Sequence, residues 1–347
     1  MIDPNIYMKR AFELAELGKG SVSPNPLVGC VIIQNGKIIG EGFHQKYGEG
    51  HAEVNAVNSV KDKSLLKDAD VFVTLEPCSH YGKTPPCADL LIKHQVKKVW
   101  VANPDPNPLV SGRGMKKLEE AGIEIETNIL SDIGEEVNRR FFTFMRKKRP
   151  YIILKWAETA DGFVARKNYD SKWISNSYSR QLVHKLRAEE DAIMVGTNTA
   201  RYDDPQLNVR DWAGSNPIRI VIDKKLSLPE NLKLFADGSP TICYNQVKSE
   251  IIGAVTFHKL GQADFTEAII ADLYERKIQS VIVEGGSKLL SSFIEKGLWD
   301  EAMIFKSVNI FKEGISAPTS LLDKDLLLQP DHRMDVQGDT LIIIKNK

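Results

Sequence analysis

Four side chains in the first third of the sequence have the types and spacing of a zinc-dependent hydrolytic site. His51 and Glu53 lie on either side of Ala52, and Cys78 and Cys87 follow later in the chain. One imidazole and two thiolates can hold a zinc ion and leave one coordination position for water. The metal lowers the pKa of that water, and a nearby carboxylate can move protons to and from an attacked ring. The pattern predicts His51, Cys78 and Cys87 as metal ligands and Glu53 as the catalytic acid and base of a deamination.

The cysteines also allow a second interpretation, in which the metal site is purely structural. A closed site needs a fourth protein ligand, and His80, which follows Cys78 closely, could supply it. Eight residues separate Cys78 from Cys87, whereas the general deaminase signature has the shorter C-x-x-C spacing. Cys30 and Cys243 each lie in an apolar run, and we interpret both as small buried side chains.

The elements that must position these residues alternate between helices and strands. Asp3-Pro4 is typical of a helix start, and Asn35-Gly36 is typical of a hairpin turn. A further helical pattern begins at His51, so the histidine and the glutamate fall in its first turn. Apolar periodicity predicts strands at 28–33, 37–39, 71–75, 99–102 and 123–125, and helices at 11–17, 88–92, 116–121 and 132–145. The chemistry then falls at strand ends and helix starts, where α/β sheets bind ligands.

A basic run from 146 to 150 separates two different α/β modules. We expect domains at residues 1–146 and 150–347, with the run 146–150 as a basic linker. In the second module the pattern predicts strands at 151–154, 192–195, 218–222, 241–244 and 280–283, and helices at 179–186 and 266–277. Gly285-Gly286 follows the last of these strands and Ser287 opens a helix, an arrangement that favours a phosphate.

Length and composition limit the classes of protein that this chain can belong to. A chain of 347 residues is long enough for two domains, and its four cysteines are too few for a disulfide scaffold. Its 46 acidic and 46 basic residues argue against nucleic acid as the main partner. No apolar run is long enough to span a membrane, and the start has no secretory signal pattern, so we expect a cytoplasmic protein.

Several motifs together resemble one family, the bifunctional deaminase/reductase of riboflavin biosynthesis. In the first half they are the segments 23–29 (SPNPLVG), 42–44 (GFH), 51–53 (HAE), 76–87 (EPCSHYGKTPPC) and 105–108 (DPNP). In the second half they are the shorter segments 154–155 (LK), 161–162 (DG), 172–174 (KWI), 186–188 (LRA), 203–205 (DDP) and 284–286 (EGG). The resemblance covers nearly the whole chain, and in this family the longer cysteine spacing is the rule.

The resemblance implies a fold and two successive reactions. The first half would be a cytidine-deaminase-like three-layer α/β/α domain with one Zn²⁺, and the second a dihydrofolate-reductase-like α/β domain that uses NADPH. The first reaction would remove the 2-amino group of a diaminopyrimidinone ribosylamino 5′-phosphate. The second would reduce the ribosyl group to ribityl. The partner is then a small pyrimidine nucleotide, and family analogy also suggests a homo-oligomer.

The resemblance also implies the residues of both sites. It assigns the pyrimidine pocket of the deaminase to Asn25, His44, His80, Lys83, Asp105 and Asn107. It assigns the NADPH site to Glu158, Trp173, Thr199, Asp203, Gly286, Ser287 and Lys288. It assigns the reductase substrate to Lys155, Ser171, Arg187, Leu207, Arg210 and Glu284.

The chemistry of some of these side chains permits sharper expectations. Arg187 and Arg210 can clamp a phosphate because a guanidinium binds phosphate with two parallel hydrogen bonds. A carboxylate at 158 would repel cofactor phosphates, so we expect Glu158 to use its main chain and to turn its side chain away. Lys155 could protonate or polarise the sugar oxygen, or it could be an ion-pair partner of Asp161.

Two other functions are compatible with parts of the sequence. A deaminase that acts on RNA or DNA would need a basic groove with aromatic side chains, which the neutral charge disfavours. A zinc-stabilised nucleotide-binding module without activity would need four protein ligands and no open metal position.

Overall fold

A computed structural model describes residues 3–81, 85–107, 111–172, 174–261 and 264–346. The chain divides into two compact units, Met1–Lys148 and Arg149–Lys347. Within the basic run, Arg146 and Lys147 form the last turn of a helix, and Pro150 stands directly before a strand. Among the described residues, no helix combines the length and the apolar character needed to cross a membrane.

The first unit contains five strands and six α-helices in its described part. The strands are β1 (Gly29–Gln34), β2 (Lys37–Phe43), β3 (Asp70–Leu75), β4 (Lys98–Asn103) and β5 (Glu124–Glu126). The helices are α1 (Pro4–Glu16), α2 (Ala52–Ser59), α3 (Cys87–Lys93), α4 (Arg113–Glu120), α5 (Ser131–Val137) and α6 (Arg139–Lys147), with one 3₁₀ turn at Lys63–Leu66. The Asp3 side chain caps α1, as the sequence predicts.

The five strands form one sheet in the order β2-β1-β3-β4-β5. Strand β1 runs antiparallel to β2 and β3, and β3, β4 and β5 are parallel. Alternate residues of each strand face opposite sides, so that Cys30 and Ile32 pack under α2, α3 and α4 while Val31 and Ile33 pack under α1 and α5. The predicted three-layer α/β/α arrangement is confirmed.

The predicted helix at 132–145 is wrong in one respect, because it is two helices. Asn138 separates α5 from α6 and has a non-helical backbone conformation. Its side-chain amide donates to the Leu27 carbonyl at 2.9 Å and accepts from the Leu27 N–H at 2.8 Å. This tertiary pairing outweighs the continuous helical pattern of the sequence.

The second unit has twelve strands and six α-helices in its described part. The strands are β6 (Tyr151–Glu158), β7 (Phe163–Ala165), β8 (Ala192–Gly196), β9 (Ile218–Ile222), β10 (Thr241–Asn245), β11 (Glu250–Ile252), β12 (Val255–Lys259), β13 (Ser280–Val283), β14 (Glu301–Lys306), β15 (Ile315–Ser316), β16 (His332–Val336) and β17 (Asp339–Lys345). The helices are α7 (Ser177–Glu189), α8 (Thr197–Asp203), α9 (Lys233–Ala236), α10 (Phe265–Glu275), α11 (Ser287–Glu295) and α12 (Lys324–Leu328), with one 3₁₀ turn at Pro318–Leu321.

Ten of these strands form one sheet in the order β11-β12-β10-β9-β8-β13-β6-β14-β17-β16, and β7 pairs with β15. The block from β12 to β14 is parallel, and antiparallel strands close both edges. Helices α10 and α11 cover one face, and α7, α8 and α9 cover the other. Because parallel strands end at the same edge, the turns after β6, β8, β9 and β13 lie close together.

Candidate functional site

Three elements bring the predicted zinc ligands together in the first unit. His51 is the N-cap of α2, Cys78 follows β3, and Cys87 begins α3. Nδ1 of His51 lies 3.5 Å from Sγ of Cys78 and 3.3 Å from Sγ of Cys87, and the three atoms lie within 4.8 Å of one another. One imidazole nitrogen and two sulfurs at this separation fit a zinc ion.

His80 does not join this group in the part of the chain that the structure describes. Its side chain is exposed, whereas Cys87 is buried and His51 and Cys78 are partly buried. The described cluster therefore has three protein ligands, which is the donor set of an open, catalytic metal site.

Glu53 stands beside the metal ligands in the first turn of α2. It is only 3% exposed, and burial, with a contribution from the negative charge of Cys78, raises its pKa to about 7. Hydrogen bonds from Cys87 and His51 lower the pKa of the Cys78 thiol, which favours the thiolate that a metal needs. A carboxyl group that gains and loses its proton near neutral pH suits acid–base catalysis.

The close packing of α2 on β2 holds Glu53 in this place. Gly42 makes the approach possible, because a Cβ atom there would lie 2.2 Å from the backbone nitrogen of Ala56. Beyond the helix end, the Lys63 ammonium donates to the carbonyls of Val57 and Val60, which satisfies the last turn of α2.

Asn25 and His44 lie next to the metal ligands. The His44 ring is 5.6 Å from the His51 ring, and its Nδ1 lies 3.0 Å from the Gly50 carbonyl, so Nδ1 is the protonated nitrogen. Burial lowers the pKa of His44, which favours the neutral ring. Its Nε2 therefore accepts from Nδ2 of Asn25 at 3.0 Å, which fixes the orientation of the Asn25 amide.

Asp105 and Asn107 lie on the turn that follows β4. The Asp105 carboxylate accepts from the Asn107 N–H at 2.8 Å, and burial raises the pKa of Asp105 to about 6. Asp105 is 8% exposed, so little of its side chain faces water. Lys83, which the resemblance also assigns to this pocket, lies outside the described residues.

The second unit contains a cleft of about 1360 Å³ at the carboxyl ends of its parallel strands. Most side chains that the resemblance assigns to the reductase line this cleft. They are Lys155, Ser171, Arg187, Thr199, Asp203, Leu207, Arg210, Glu284, Gly286, Ser287 and Lys288. Helix α11 begins at Ser287 with Gly286 as its N-cap, as the strand–turn–helix pattern predicts.

A buried charged triad lies in this cleft. Arg187 donates through Nε and Nη2 to the two carboxylate oxygens of Glu284, at 2.9 and 2.8 Å. Although burial opposes it, the charges of Arg187 and Lys155 hold the pKa of Glu284 at about 2. Burial lowers the pKa of Lys155 below its usual 10.5. The guanidinium fork that we assigned to a phosphate is thus bound to a carboxylate of the protein.

The alternative partner for Lys155 is wrong. The Asp161 carboxylate accepts from the Thr159 hydroxyl at 2.6 Å and from the Lys312 N–H at 2.7 Å. Among the described residues, no ion pair within 4.0 Å joins Lys155 to Asp161. Lys155 instead interacts electrostatically with Glu284 and Arg187 in the cleft.

Glu158 is not among the residues that line the cleft. Its carboxylate accepts from Nε1 of Trp156 at 3.0 Å and from the Thr319 hydroxyl, and it is 3% exposed. The side chain is therefore bound within the unit, and a main-chain contact with the cofactor stays a prediction. Trp173 lies outside the described residues.

Several cleft residues were not identified from the sequence. Nδ1 of His184 accepts from the Arg210 N–H at 3.2 Å and so holds the segment that contains Arg210. The spacing of His184 and Arg187 on one face of a helix was an available signal. Lys224 and Lys225 also line the cleft, separated by one residue from the end of β9, and a basic pair near a strand end was the corresponding signal.

Comparisons with known proteins match both units. Residues 1–103 match the cytidine and deoxycytidylate deaminase zinc-binding region, and residues 150–307 match the RibD C-terminal domain. The riboflavin biosynthesis protein RibD of Aquifex aeolicus is 42% identical over 91% of this chain and 89% of its own length. The protein of the same name from Bacillus amyloliquefaciens is 42% identical over 90% and 86%.

Solved structures match nearly the whole chain. A diaminohydroxyphosphoribosylaminopyrimidine deaminase/5-amino-6-(5-phosphoribosylamino)uracil reductase from Thermotoga maritima is 38% identical, covers 99% of both chains and has a TM-score of 0.89. RibD of Acinetobacter baumannii, in its form 1, is 34% identical with the same coverage and a TM-score of 0.89.

Proposed function

Because this chain belongs to the riboflavin biosynthesis protein RibD family, and is thus a bifunctional deaminase and reductase, we propose that its two sites act in sequence on one pyrimidine nucleotide. The substrate is the diaminopyrimidinone ribosylamino 5′-phosphate. The first site replaces the 2-amino group by oxygen and releases ammonia, and the second reduces the ribosyl group to ribityl with NADPH. The observation that carries the proposal is the three-ligand cluster of His51, Cys78 and Cys87 with buried Glu53 beside it.

In the first reaction, His51, Cys78 and Cys87 hold the zinc ion and Glu53 moves the protons. When bound, the zinc ion supplies Lewis acidity that makes water a nucleophile at neutral pH. Glu53 accepts a proton from the attacking water and returns one to the departing amino group, which leaves as ammonia. A pKa near 7 allows both transfers in one cycle.

The neighbouring residues orient the pyrimidine ring. Asn25 donates to His44, which leaves the Asn25 carbonyl oxygen to accept an N–H of the substrate. The Asp105 carboxyl group and the Asn107 side chain can pair with the ring nitrogen and the exocyclic groups. His80 and Lys83 are suited to the sugar or the phosphate.

In the second reaction the cleft of the second unit binds the deaminated nucleotide and NADPH. NADPH supplies the hydride. Gly286, Ser287 and Lys288 at the start of α11 hold cofactor phosphates. Thr199 and Asp203 complete the cofactor side, together with the Glu158 main chain and Trp173.

Lys155 donates the proton that the sugar oxygen needs after hydride transfer. Its lowered pKa makes the ammonium a better acid than an ordinary lysine. The ion pair of Arg187 and Glu284 fixes the charge that Lys155 faces. Ser171, Leu207 and Arg210 surround the substrate, and Arg210 is the remaining candidate for its phosphate.

We also propose a cytoplasmic homo-oligomer that has no nucleic-acid partner. A reducing compartment keeps Cys78 and Cys87 free to bind metal. The neutral formal charge supports a small-molecule substrate. Light scattering of the purified protein measures the oligomeric state.

The decisive experiment follows turnover of the diaminopyrimidinone nucleotide with and without NADPH. Ammonia should appear in both reactions, and the ribityl product only with NADPH. Release of ammonia from RNA or DNA, with none from the nucleotide, would contradict the proposal.

Glu53→Gln tests the assignment of the proton carrier. The variant should keep its zinc and lose ammonia release by roughly 10³-fold, because an amide cannot transfer the proton. Glu49→Gln, at an exposed position nearby, is the control and should behave as the wild type. A zinc-loaded Glu53→Gln protein with normal turnover would refute the role.

A further inference from the structure

Glu76 is a buried carboxylate that the proposed deamination does not use. It directly follows β3, stands two positions before Cys78 and is 4% exposed. Its N–H donates to the Asn103 carbonyl at 3.0 Å, so its backbone extends the pairing between β3 and β4. A carboxylate in such a position is costly unless hydrogen bonds compensate its burial.

Three backbone N–H groups supply that compensation, two from the connection between β4 and α4 and one from the first turn of α4. Oε2 of Glu76 accepts from the Asp105 N–H at 3.3 Å and from the Gly112 N–H at 3.0 Å. Oε1 accepts from the Gly114 N–H at 3.1 Å. One carboxylate thus binds both ends of this connection, at the turn that contains Asp105 and at the start of α4.

The backbone packs closely beside Glu76. A Cβ atom on Gly114 would lie 1.9 Å from the Pro77 carbonyl oxygen, so α4 starts in direct backbone contact with the segment that leads to Cys78. The negative charge of Glu76 also lies at the N-terminal end of α4, where a helix favours an anion.

We infer that Glu76 is a positioning residue of the deaminase site, which couples the segment of the zinc ligand Cys78 to the substrate-binding turn of Asp105 and Asn107. This inference rests on the proposed deaminase function. Through Glu76, the distance between the metal and the groups that hold the pyrimidine ring is set by hydrogen bonds to backbone amides.

The acceptor-only character of a carboxylate is essential to this role. Glutamine at position 76 has nearly the same shape, but one of its two terminal atoms is an NH₂ donor. At least one of the three N–H groups would then face a donor and lose its partner. The turn of Asp105 should shift, while Cys78 stays on its own strand end.

The test is the Glu76→Gln variant of the full-length, zinc-loaded protein, assayed with the diaminopyrimidinone nucleotide. We expect KM for this nucleotide to rise about tenfold or more, the effect of one lost hydrogen bond to a charged group. We expect kcat to fall by a smaller factor and zinc content to stay at the wild-type value. Glu119→Gln, at an exposed position of α4, is the matched control and should leave KM unchanged.

Two results would overturn the inference. One is an unchanged KM, and the other is a loss of zinc, which would make Glu76 a support of the metal site alone. If the variant does not fold, amide hydrogen exchange of the wild type decides instead. The amides of Asp105 and Gly112 should be protected, and exchange at the rate of an unstructured chain would refute the bonds to Glu76. Ammonia release by the wild type in the same assay tests the proposed function separately.

Discussion

The zinc cluster of the first unit and the cleft of the second unit differ in how many groups form them and how closely those groups lie. The cluster brings three ligand atoms within 4.8 Å of one another and places one buried carboxyl group beside them. The cleft has a volume of about 1360 Å³ and is lined from the ends of several strands. In the cluster, a few strong interactions determine function. In the cleft, many side chains each contribute a small part of the binding.

This difference predicts how each site responds to the loss of one side chain. Loss of one zinc ligand removes the metal and therefore all of the chemistry. Loss of one cleft residue should change stability, pH dependence or affinity in proportion to the bonds that it makes. Variants of Cys87, Glu284 and Lys155 test this expectation.

The largest effect should come from Cys87→Ala. The remaining two ligands cannot hold zinc tightly, so ammonia release should fall to background, while NADPH oxidation with the deaminated nucleotide continues. Metal analysis and the two activity assays measure these outcomes. Cys30→Ala removes a buried cysteine outside the cluster and should leave zinc and both activities intact. Full deaminase activity of Cys87→Ala would break the contrast.

An intermediate effect should come from Glu284→Gln. The variant leaves the guanidinium of Arg187 buried without its charge partner, and such a loss costs roughly 3–5 kcal/mol. Urea denaturation followed by a signal from the second unit measures the change. Glu313→Gln breaks the exposed ion pair with Lys167 and should leave the midpoint in place. Equal midpoints for the two variants would show that the buried pair adds no stability.

The smallest effect should be a pH dependence that Lys155 imposes. Its folded-state pKa lies below the usual 10.5, so between the two values the unfolded chain binds more protons than the folded chain. The unfavourable contribution of Lys155 to stability is therefore present at low pH and is relieved as the pH rises towards 10.5.

Lys155→Met removes this contribution and should raise stability at neutral pH, with a difference from the wild type that shrinks in alkali. The same variant should lower kcat of the reduction about 10²-fold, because the proton donor is lost. Denaturation and NADPH oxidation across the pH range test both statements. Parallel stability curves for the two proteins would contradict the lowered pKa.

The same contrast explains which parts of the site were predictable from sequence. His51, Glu53, Cys78 and Cys87 are rare, reactive residue types in short segments, and the structure brings them together. Prediction of the cleft requires the order of the strands in the sheet as well as the residues that line it. Arg187 and Lys155 both interact with Glu284, which directly follows β13. No local sequence pattern reveals which elements lie beside β13.

Secondary structure was predictable where apolar periodicity was continuous. Strands β3 and β4 of the first unit and β6, β8, β9, β10 and β13 of the second match predicted apolar runs, because both faces of these strands are buried. Strands β12 and β14 of the parallel block, and β17 beside it, were not predicted from the sequence. The break at Asn138 was not predictable, since its cause is a partner 111 residues away. The exposed edge strands β11 and β16 were also missed, because they bury too few apolar residues to produce a pattern.

The pairing of Asn138 with Leu27 has a consequence for synthesis of the chain on the ribosome. The two residues are 111 positions apart, and Leu27 lies close in sequence to Asn25. All three zinc ligands emerge well before Asn138 does. Metal capture can therefore precede the contact between Asn138 and Leu27 that completes the first unit.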